Sequence, residues 1–416
     1  MTEVKVNKQG WQLNVANTLS ALKYHNFRLW FIGQLASLVG TWMQTTAQGF
    51  LIFELTHSPT YLGYVAFASG IPTWLFMLYG GVIIDRVPRR NLLVITQVSM
   101  MVLAFILAGL TFTGLVQAWH ILLLAFLLGI VNAFDAPARQ AFVVDLVEKK
   151  DLTNAIALNS TMFQSATVVG PAIAGLTYAA LGPGWCFTIN AVSFIAVITA
   201  LLFIHITPKP AQPRTTSIAQ EMMVGLRYSM KDSIIRTLVA LIGVIGLFTS
   251  AYITLFPAWA VAILHGDATT NGWLQSARGL GALLGAFTIA VLGNFKWKGK
   301  LLTIGSFFYP AMLIIFAVIS WLPLSLLALV AVGWGFLIMA NMAGTLLQTL
   351  VPEDLRGRVT GLYSLVAFGS LPIGGLATGA LAGWIGLPWT IILGAIAALL
   401  FCTGFYLFVP QLRHAE

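Results

Sequence analysis

Twelve long apolar stretches, separated by short polar connections, constrain this chain more than any other feature of its sequence. A membrane-spanning helix needs about 20 mostly apolar residues, and in lipid its backbone polar groups must pair within the segment. Only 8% of the residues are charged, against about 25% in soluble domains, so the bilayer must surround most of the chain. We therefore predict an all-α membrane protein with transmembrane helices at 27–55, 60–84, 91–113, 119–146, 153–181, 184–206, 234–264, 269–293, 299–319, 322–350, 357–384 and 387–409.

Basic residues lie on alternate connections between these stretches. Twenty-one of the 22 Lys and Arg residues fall at or near the two termini and the even-numbered connections. The remaining connections hold none, and they are 56–59, 114–118, 182–183, 265–268, 320–321 and 385–386. Because basic loops stay in the cytoplasm, we predict a multi-pass inner-membrane protein with both termini cytoplasmic. This topology accounts for the net charge of +9, so no nucleic-acid partner is expected.

The chain divides at its longest polar stretch, residues 207–233. This connector begins with three prolines and continues as a predicted amphipathic helix on the cytoplasmic surface, with a solvated linker as the alternative. Residues 146–175 and 350–379 resemble each other at an offset near half the chain length. We therefore predict two pseudo-symmetric six-helix halves, 1–206 and 234–416, that rock around a central site.

The connection after the second span carries a recognisable motif, GVIIDRVPRR at 81–90. It resembles the loop signature of the major facilitator superfamily, G-x-L-A-D-R-x-G-R-R, with Pro88 where that family usually has Gly. The resemblance implies a latch in which Asp85 approaches the start of the eleventh span, near Gly357–Gly361, where free N–H groups attract a carboxylate. An ordinary basic loop is the alternative. The residues of the predicted latch motif are Gly81, Asp85, Arg86, Arg89 and Arg90.

The fifth span contains the stretch GPAIAG at 170–175. It is similar to the G-P-x-x-G-G stretch of exporters and antiporters in the same superfamily, at Gly170, Pro171 and Gly175, with Ala174 in place of one glycine. Glycines let helices approach closely and proline permits bending, so generic tight packing is the alternative reading.

Longer stretches extend this resemblance over most of the chain. FRLWFIGQLASLVGTWMQ, LTHSPTYLG, DAPARQAFVVDLV and NAIALNS resemble the siderophore-exporter branch of the superfamily, which includes enterobactin exporters. The resemblance implies export of a small molecule across the inner membrane, driven by the proton gradient. The expected partners are the lipid bilayer, a small-molecule substrate, the proton gradient and an outer-membrane efflux component.

Charges at membrane depth are costly and therefore point to function. Arg278, about ten residues into the eighth span, would hold an anionic group if it faces the cavity, and a packing role is the alternative. Asp135 and Arg139 are four residues apart and share a helix face toward the cytoplasmic end, which favours a structural or gating pair over substrate contact, with the Arg89 region as a candidate second partner. Asp135 and Glu54 are the proton-coupling candidates, although Glu54 also fits the aqueous interface.

In this fold the first, fourth, seventh and tenth spans line the cavity. With Arg278, their polar and aromatic side chains suit an amphipathic substrate, with lipid-facing or packing roles as the alternative. The predicted substrate-binding residues on these spans are Gln44, Gln48, Asn132, Tyr252, Trp334 and Asn341.

The functional prediction is a secondary transporter that exports a siderophore by alternating access. A multidrug or lysophospholipid transporter is the alternative in the same class, and a receptor or membrane enzyme on a transporter scaffold is a third. No nucleophile triad, ATP-binding loop or metal-ligand spacing is apparent, so we predict no enzyme activity, metal or cofactor. Cys186 and Cys402 lie in different spans and are not expected to pair.

Overall fold

The computed structural model describes residues 19–84, 87–205, 218–293 and 297–414, with side chains at 19–76, 87–205, 222–293 and 297–413. Helices α1 to α6 are His25–Thr56, Pro59–Ile84, Arg89–Phe112, Ala118–Leu146, Leu152–Leu181 and Pro183–Phe203. A short helix α7, Ile218–Lys231, follows. Helices α8 to α14 are Ser233–Phe248, Phe256–Ala262, Ala268–Leu292, Lys298–Val318, Leu322–Leu350, Glu353–Ile385 and Leu387–Phe408.

The helices agree with the predicted spans to within four residues, the largest difference being the start of α13 at Glu353 rather than 357. Nine segments among the described residues are long and apolar enough to cross a membrane, with α8 and α9 counted together. Helices α1, α2 and α5, which are not among these nine, have 32, 26 and 30 residues and are also long enough to span. The fold is therefore compatible with twelve spans.

The seventh span is interrupted, whereas the sequence predicts one continuous helix over 234–264. Helix α8 ends at Phe248, a 3₁₀ turn covers Ser250–Leu255, and α9 begins at Phe256. Pro257 in the first turn of α9 lacks a backbone N–H and fits a helix start better than a helix interior. The break places Ser250 and Tyr252, both buried, in the 3₁₀ turn between the two helices.

Helix packing repeats between the first six spans and the last six. In the first six spans, α2 packs against α4 and α3 packs against α6. In the last six spans, the equivalent pairs are α10 with α12 and α11 with α14. The closest contacts between the two groups are α2 with α13 and α5 with α10. At the level of residues, the carbonyl of Ser69 blocks the side-chain position of Gly129, and the carbonyl of Arg278 blocks that of Gly333. The fold therefore has internal pseudo-symmetry.

The helix expected in the connector is present as α7, and it packs against α13 where Gly225 meets the backbone of Arg358. Met223, Leu226 and Met230 are exposed on α7. Its interfacial role stays a prediction, although exposed apolar side chains beside basic residues favour it.

The chain ahead of α1 is held to the start of α5. The backbone N–H of Ala21 donates to Asn154 Oδ1 at 2.9 Å, and the Tyr24 hydroxyl donates to Asp151 Oδ2 at 2.7 Å. Lys23 Nζ also lies 2.7 Å from Asp151 Oδ2. Bonds from Lys23 and Tyr24 hold the pKa of Asp151 well below its usual range, and Asp151 in turn raises the pKa of Lys23. We call this group the N-terminal clasp.

Candidate functional site

The two groups of six spans touch most closely through glycines. Gly63 of α2 meets the backbone at Gly375 and Gly379 of α13, and Gly272 of α10 meets it at Pro171 and Gly175 of α5. Small residues let helix backbones approach to this degree. Helices α2 and α10 begin at connections without Lys or Arg, which we call the non-basic face. The close contacts therefore lie toward the non-basic face.

Polar bonds join the two groups in the same region. Thr46 Oγ1 of α1 donates to Gln275 Oε1 of α10 at 3.2 Å, and Asn271 Nδ2 reaches the Thr46 carbonyl at 3.5 Å. Ser276 Oγ of α10 donates to the Val168 carbonyl of α5 at 2.7 Å. These bonds close the bundle toward the non-basic face. We call the bond between Thr46 and Gln275 the Thr46–Gln275 lock.

Toward the basic face, where the Lys- and Arg-bearing connections lie, the bundle is more open. No described atom lies within 4 Å of the side-chain position at Gly344 of α12 or at Gly357 and Gly361 of α13. The described hydrogen bonds between α5 and α10 all lie beyond Thr167 in the direction of the non-basic face. Between α2 and α13, Trp74 Nε1 donates to the Leu365 carbonyl at 3.0 Å near the middle of both helices. The described contacts between the two groups therefore extend from the non-basic face to about the middle of the bundle, and the described residues beyond that point are more open.

The exporter-like stretch of α5 is part of this closed region. A side chain at Gly170 would collide with Trp42 and the backbone of Val39 in α1, and Gly175 lies against Ala268 and Thr269. The stretch therefore packs against both α1 and α10. Its predicted link to export direction stays a prediction.

Arg278 lies on the face of α10 that points to the bundle centre. It shares that face with Asn271 and Gln275, which contact α1, and lies one turn from Gln275 toward the basic face. The side chain is half-buried, and its Nε is buried without a hydrogen-bond partner among the described residues.

Asp135 is a buried charge within the first six spans, with partners on two helices. It is 1% exposed, and its Oδ1 accepts from Thr96 Oγ1 at 2.7 Å and from Gln97 Nε2 at 2.8 Å. Its Oδ2 lies 2.7 Å from Arg139 Nε, so the predicted pair forms. Ser37 of α1 reaches Gln97 Oε1 at 3.5 Å. One network therefore joins α1, α3 and α4.

Arg89 is not the second partner of this pair. Helix α4 continues to Leu146, about 16 Å beyond Asp135, so the carboxylate lies in the half of the span toward the basic face but close to its middle. Arg89 Nη1 instead lies 2.7 Å from Asp145 Oδ2 and 3.2 Å from the Ala141 carbonyl. Asp145, one residue before the end of α4, is closer to the loop that carries Arg89.

Of the other predicted latch residues, the structure describes the side chain of Arg90 only. Arg90 donates from Nε and Nη2 to the carbonyls of Leu201 and Leu202, at 2.6 and 2.8 Å, and so satisfies free carbonyls at the end of α6. Asp85 and Arg86 lie outside the described residues, as does the environment of Gly81. The latch itself stays a prediction.

Glu54, the second proton-coupling candidate, is exposed near the end of α1 at the non-basic face. The Tyr178 hydroxyl of α5 donates to its carboxylate, and Phe50 packs edge-on against Tyr178 with ring centroids 5.1 Å apart. The carboxylate therefore has a fixed partner in a partly apolar setting.

Comparison with known families decides the class of protein. The family model described as "Transmembrane secretion effector", within the major facilitator superfamily, matches residues 16–416. The chain belongs to this family. Among curated relatives, it is 29% identical over 388 residues to the enterobactin exporter EntS of Citrobacter koseri, with 89% of each chain covered. It is also 29% identical over 392 residues to the EntS of Shigella boydii serotype 18, again covering 89% of both.

Solved structures support the same fold for this secretion effector family member. The nucleoside transporter NupG aligns with a TM-score of 0.70 and 13% identity, covering 92% of this chain and 98% of that one. A bacterial homolog of the human lysosomal transporter Spinster, solved inward-facing and unoccupied, aligns with a TM-score of 0.71 and 14% identity, covering 94% and 97%. The major facilitator fold predicted from the sequence is confirmed.

The predicted substrate-binding residues on the other spans occupy different settings in this transporter. Gln44 accepts a bond from Asn190 of α6 at 2.7 Å, and Trp334 donates to Thr288 of α10 at 3.1 Å, so both bridge helices within one group of six. The remaining members vary in exposure. Gln48 and Tyr252 are buried, Asn132 is half-buried, and Asn341 is exposed. None of these residues has a hydrogen bond or an ion pair with Arg278 in the part of the chain that the structure describes, and their substrate role stays a prediction.

Several residues of these networks were not identified from the sequence. Asp145, Thr96, Gln97 and Tyr178 contact charged residues that are 38 to 124 positions away in the chain. Spacing along one helix can identify partners such as Asp135 and Arg139, but it carries no information about contacts between helices. Polar residues in apolar spans are the signal that would have placed Thr96 and Gln97 among the candidates.

Proposed function

We propose that this transporter exports a siderophore or a closely similar amphipathic molecule across the inner membrane, in exchange for protons, by alternating access. The observation that carries the proposal is the similarity to enterobactin exporters, which covers 89% of this chain and 89% of each exporter. With the basic face in the cytoplasm, the closed region faces the periplasm and the open end faces the cytoplasm. Cargo would therefore enter from the cytoplasm, as export requires.

The proton would be carried by Asp135. Its carboxylate is buried beside a single arginine, and protonation would leave Arg139 without its counter-charge. Because Thr96, Gln97 and Ser37 link the carboxylate to α3 and α1, a change in its charge alters contacts among three helices. Glu54 would exchange protons with the periplasm at the other end of the same group of spans. No chemical change of the cargo is involved, and an outer-membrane efflux component would receive it.

Transport in inverted membrane vesicles tests this proposal. With an acidic interior, wild-type vesicles should accumulate enterobactin, and a protonophore should abolish the accumulation. Asp135→Asn should reduce gradient-driven accumulation at least tenfold because the site no longer binds and releases a proton. Glu148→Gln, which removes an exposed acid paired with Lys150, is the matched control and should transport normally.

A cationic dye in the same vesicles separates the alternatives. Dye accumulation without enterobactin accumulation would replace the siderophore proposal with a multidrug carrier. Enterobactin accumulation that does not depend on the proton gradient would refute proton exchange but would still support enterobactin as the cargo.

A further inference from the structure

We infer that Arg278 is the centre of an oxyanion subsite, and that the cargo presents an anionic oxygen, a catecholate or a carboxylate, to it. This inference rests on the proposed function, because it assigns a chemical group of the cargo to one place in the transporter. It concerns the Arg278 guanidinium on the face of α10 that also carries Asn271 and Gln275, which we call the Arg278 subsite.

Internal pseudo-symmetry argues against a packing role for the Arg278 side chain. The carbonyl of Arg278 lies against Gly333 of α12 as the carbonyl of Ser69 lies against Gly129 of α4. The backbone contact is thus made equally well by a residue with a short side chain. The guanidinium is not needed for this helix contact, so the second group of spans carries a charge that its packing does not require.

The charge of Arg278 is also uncompensated, unlike that of the other arginine at membrane depth. Arg139 Nε lies 2.7 Å from Asp135 Oδ2, whereas none of the ion pairs among the described residues includes Arg278. An isolated charge away from water is unfavourable, so a bound anion would relieve a cost that the empty transporter bears.

The position of the subsite suits cargo loaded from the cytoplasm. Arg278 lies one helical turn below Gln275 of the Thr46–Gln275 lock, so it is at the inner end of the open region.

Guanidinium chemistry selects the ligand class. Its planar fork donates two parallel N–H bonds, a geometry that fits a carboxylate. Lysine would supply the same charge without the fork. The Arg278 subsite should therefore distinguish an anion from a neutral molecule of the same shape, and its arginine from a lysine.

Binding to the purified full-length protein tests this inference without any transport step. The probes are two matched pairs, benzoate with benzamide and 2,3-dihydroxybenzoate with 2,3-dihydroxybenzamide, measured by calorimetry. In the wild type, the carboxylate of at least one pair should bind about tenfold to a hundredfold more tightly than its amide, as a charge-assisted bond provides. In Arg278→Ala that ratio should fall to within about twofold, and in Arg278→Lys it should be intermediate.

Arg236→Ala is the matched control, because Arg236 is an exposed arginine that donates to the Met230 carbonyl; it should keep the wild-type ratio. If Arg278→Ala is not monodisperse, Arg278→Gln takes its place. No carboxylate preference in the wild type, or an unchanged preference in the variants, overturns the inference. An Arg278-dependent preference in a protein that does not transport enterobactin would preserve the subsite and refute only the proposed cargo.

Discussion

Single charged residues in this transporter differ most in whether a partner is fixed beside them. Asp135 has two neutral donors and one arginine, Glu54 has a tyrosine, and Arg278 has no ion-pair partner among the described residues. A buried pair that loses one member leaves an uncompensated charge, whereas loss of both leaves a polar but neutral site. These environments make different predictions for substitution.

For the buried pair, Asp135→Asn should lower the free energy of unfolding by about 3–5 kcal/mol because Arg139 is left without a counter-charge. The double variant Asp135→Asn with Arg139→Gln should recover most of that loss. Thermal unfolding of the two single variants and the double variant in detergent measures the coupling. If the double variant loses as much unfolding free energy as the two single variants lose together, the two side chains do not interact directly.

The N-terminal clasp should depend on pH only at the extremes. The pKa of Asp151 is lowered by Lys23, so its contribution is complete above about pH 4, the ordinary value of the carboxyl, and is lost as the pH falls further. The pKa of Lys23 is raised, so its contribution is lost only above about pH 10. The difference in melting temperature between wild type and Lys23→Ala should be constant from pH 5 to 8 and should shrink below about pH 4. A difference that changes between pH 5 and 8 would assign the clasp to another titrating group.

At the scale of helices, apolar length predicts the structure well and says little about orientation. The spans were predictable because the bilayer forces each apolar run into a helix of known minimum length. The break at Ser250–Leu255 was not, since the turn lies within an apolar run that scores as one span. Gln44 and Trp334 were expected at the cavity, yet they bond to α6 and α10, because which face of a helix meets a neighbour depends on packing between distant segments.

Close contact between α5 and α10 gives a prediction about one glycine. Gly272→Leu should prevent closure at the non-basic face, because a side chain there meets the backbone of Pro171 and Gly175. Transport should fall at least tenfold while the protein still inserts into the membrane. Gly109→Leu is the control, since no described atom lies within 4 Å of that side-chain position and transport should persist. Normal transport by Gly272→Leu would show that the contact is not required.

Across the part of the molecule that the structure describes, the contacts between the two groups of spans are concentrated toward one face. Such a state must exchange with its opposite if cargo is to cross, and a carrier of this fold does so by rocking its halves. Residues at the open ends of α12 and α13 should then lose contact with water in the other state.

Cysteine labelling measures that exchange. Gly361→Cys should react rapidly with a water-soluble maleimide in inverted vesicles, since its side-chain position is open among the described residues. The rate should fall severalfold when Gly272→Leu holds the non-basic face apart. Both native cysteines are buried and give a low background. Lys149→Cys, on an exposed loop, should label equally in both backgrounds, and a Gly361→Cys rate that does not change would argue against rocking.

The uneven distribution of Lys and Arg between the two faces has a consequence for the cargo as well as for membrane insertion. A negatively charged molecule meets a cluster of cations at the cytoplasmic entrance, which raises its local concentration and its rate of capture. At the periplasmic exit it meets no Lys or Arg on the connections, and it meets the carboxylates Glu54 and Asp267. In the proposed orientation, the field of the protein would therefore speed capture from the cytoplasm and slow rebinding from the periplasm, while the proton gradient would set the direction of net transport.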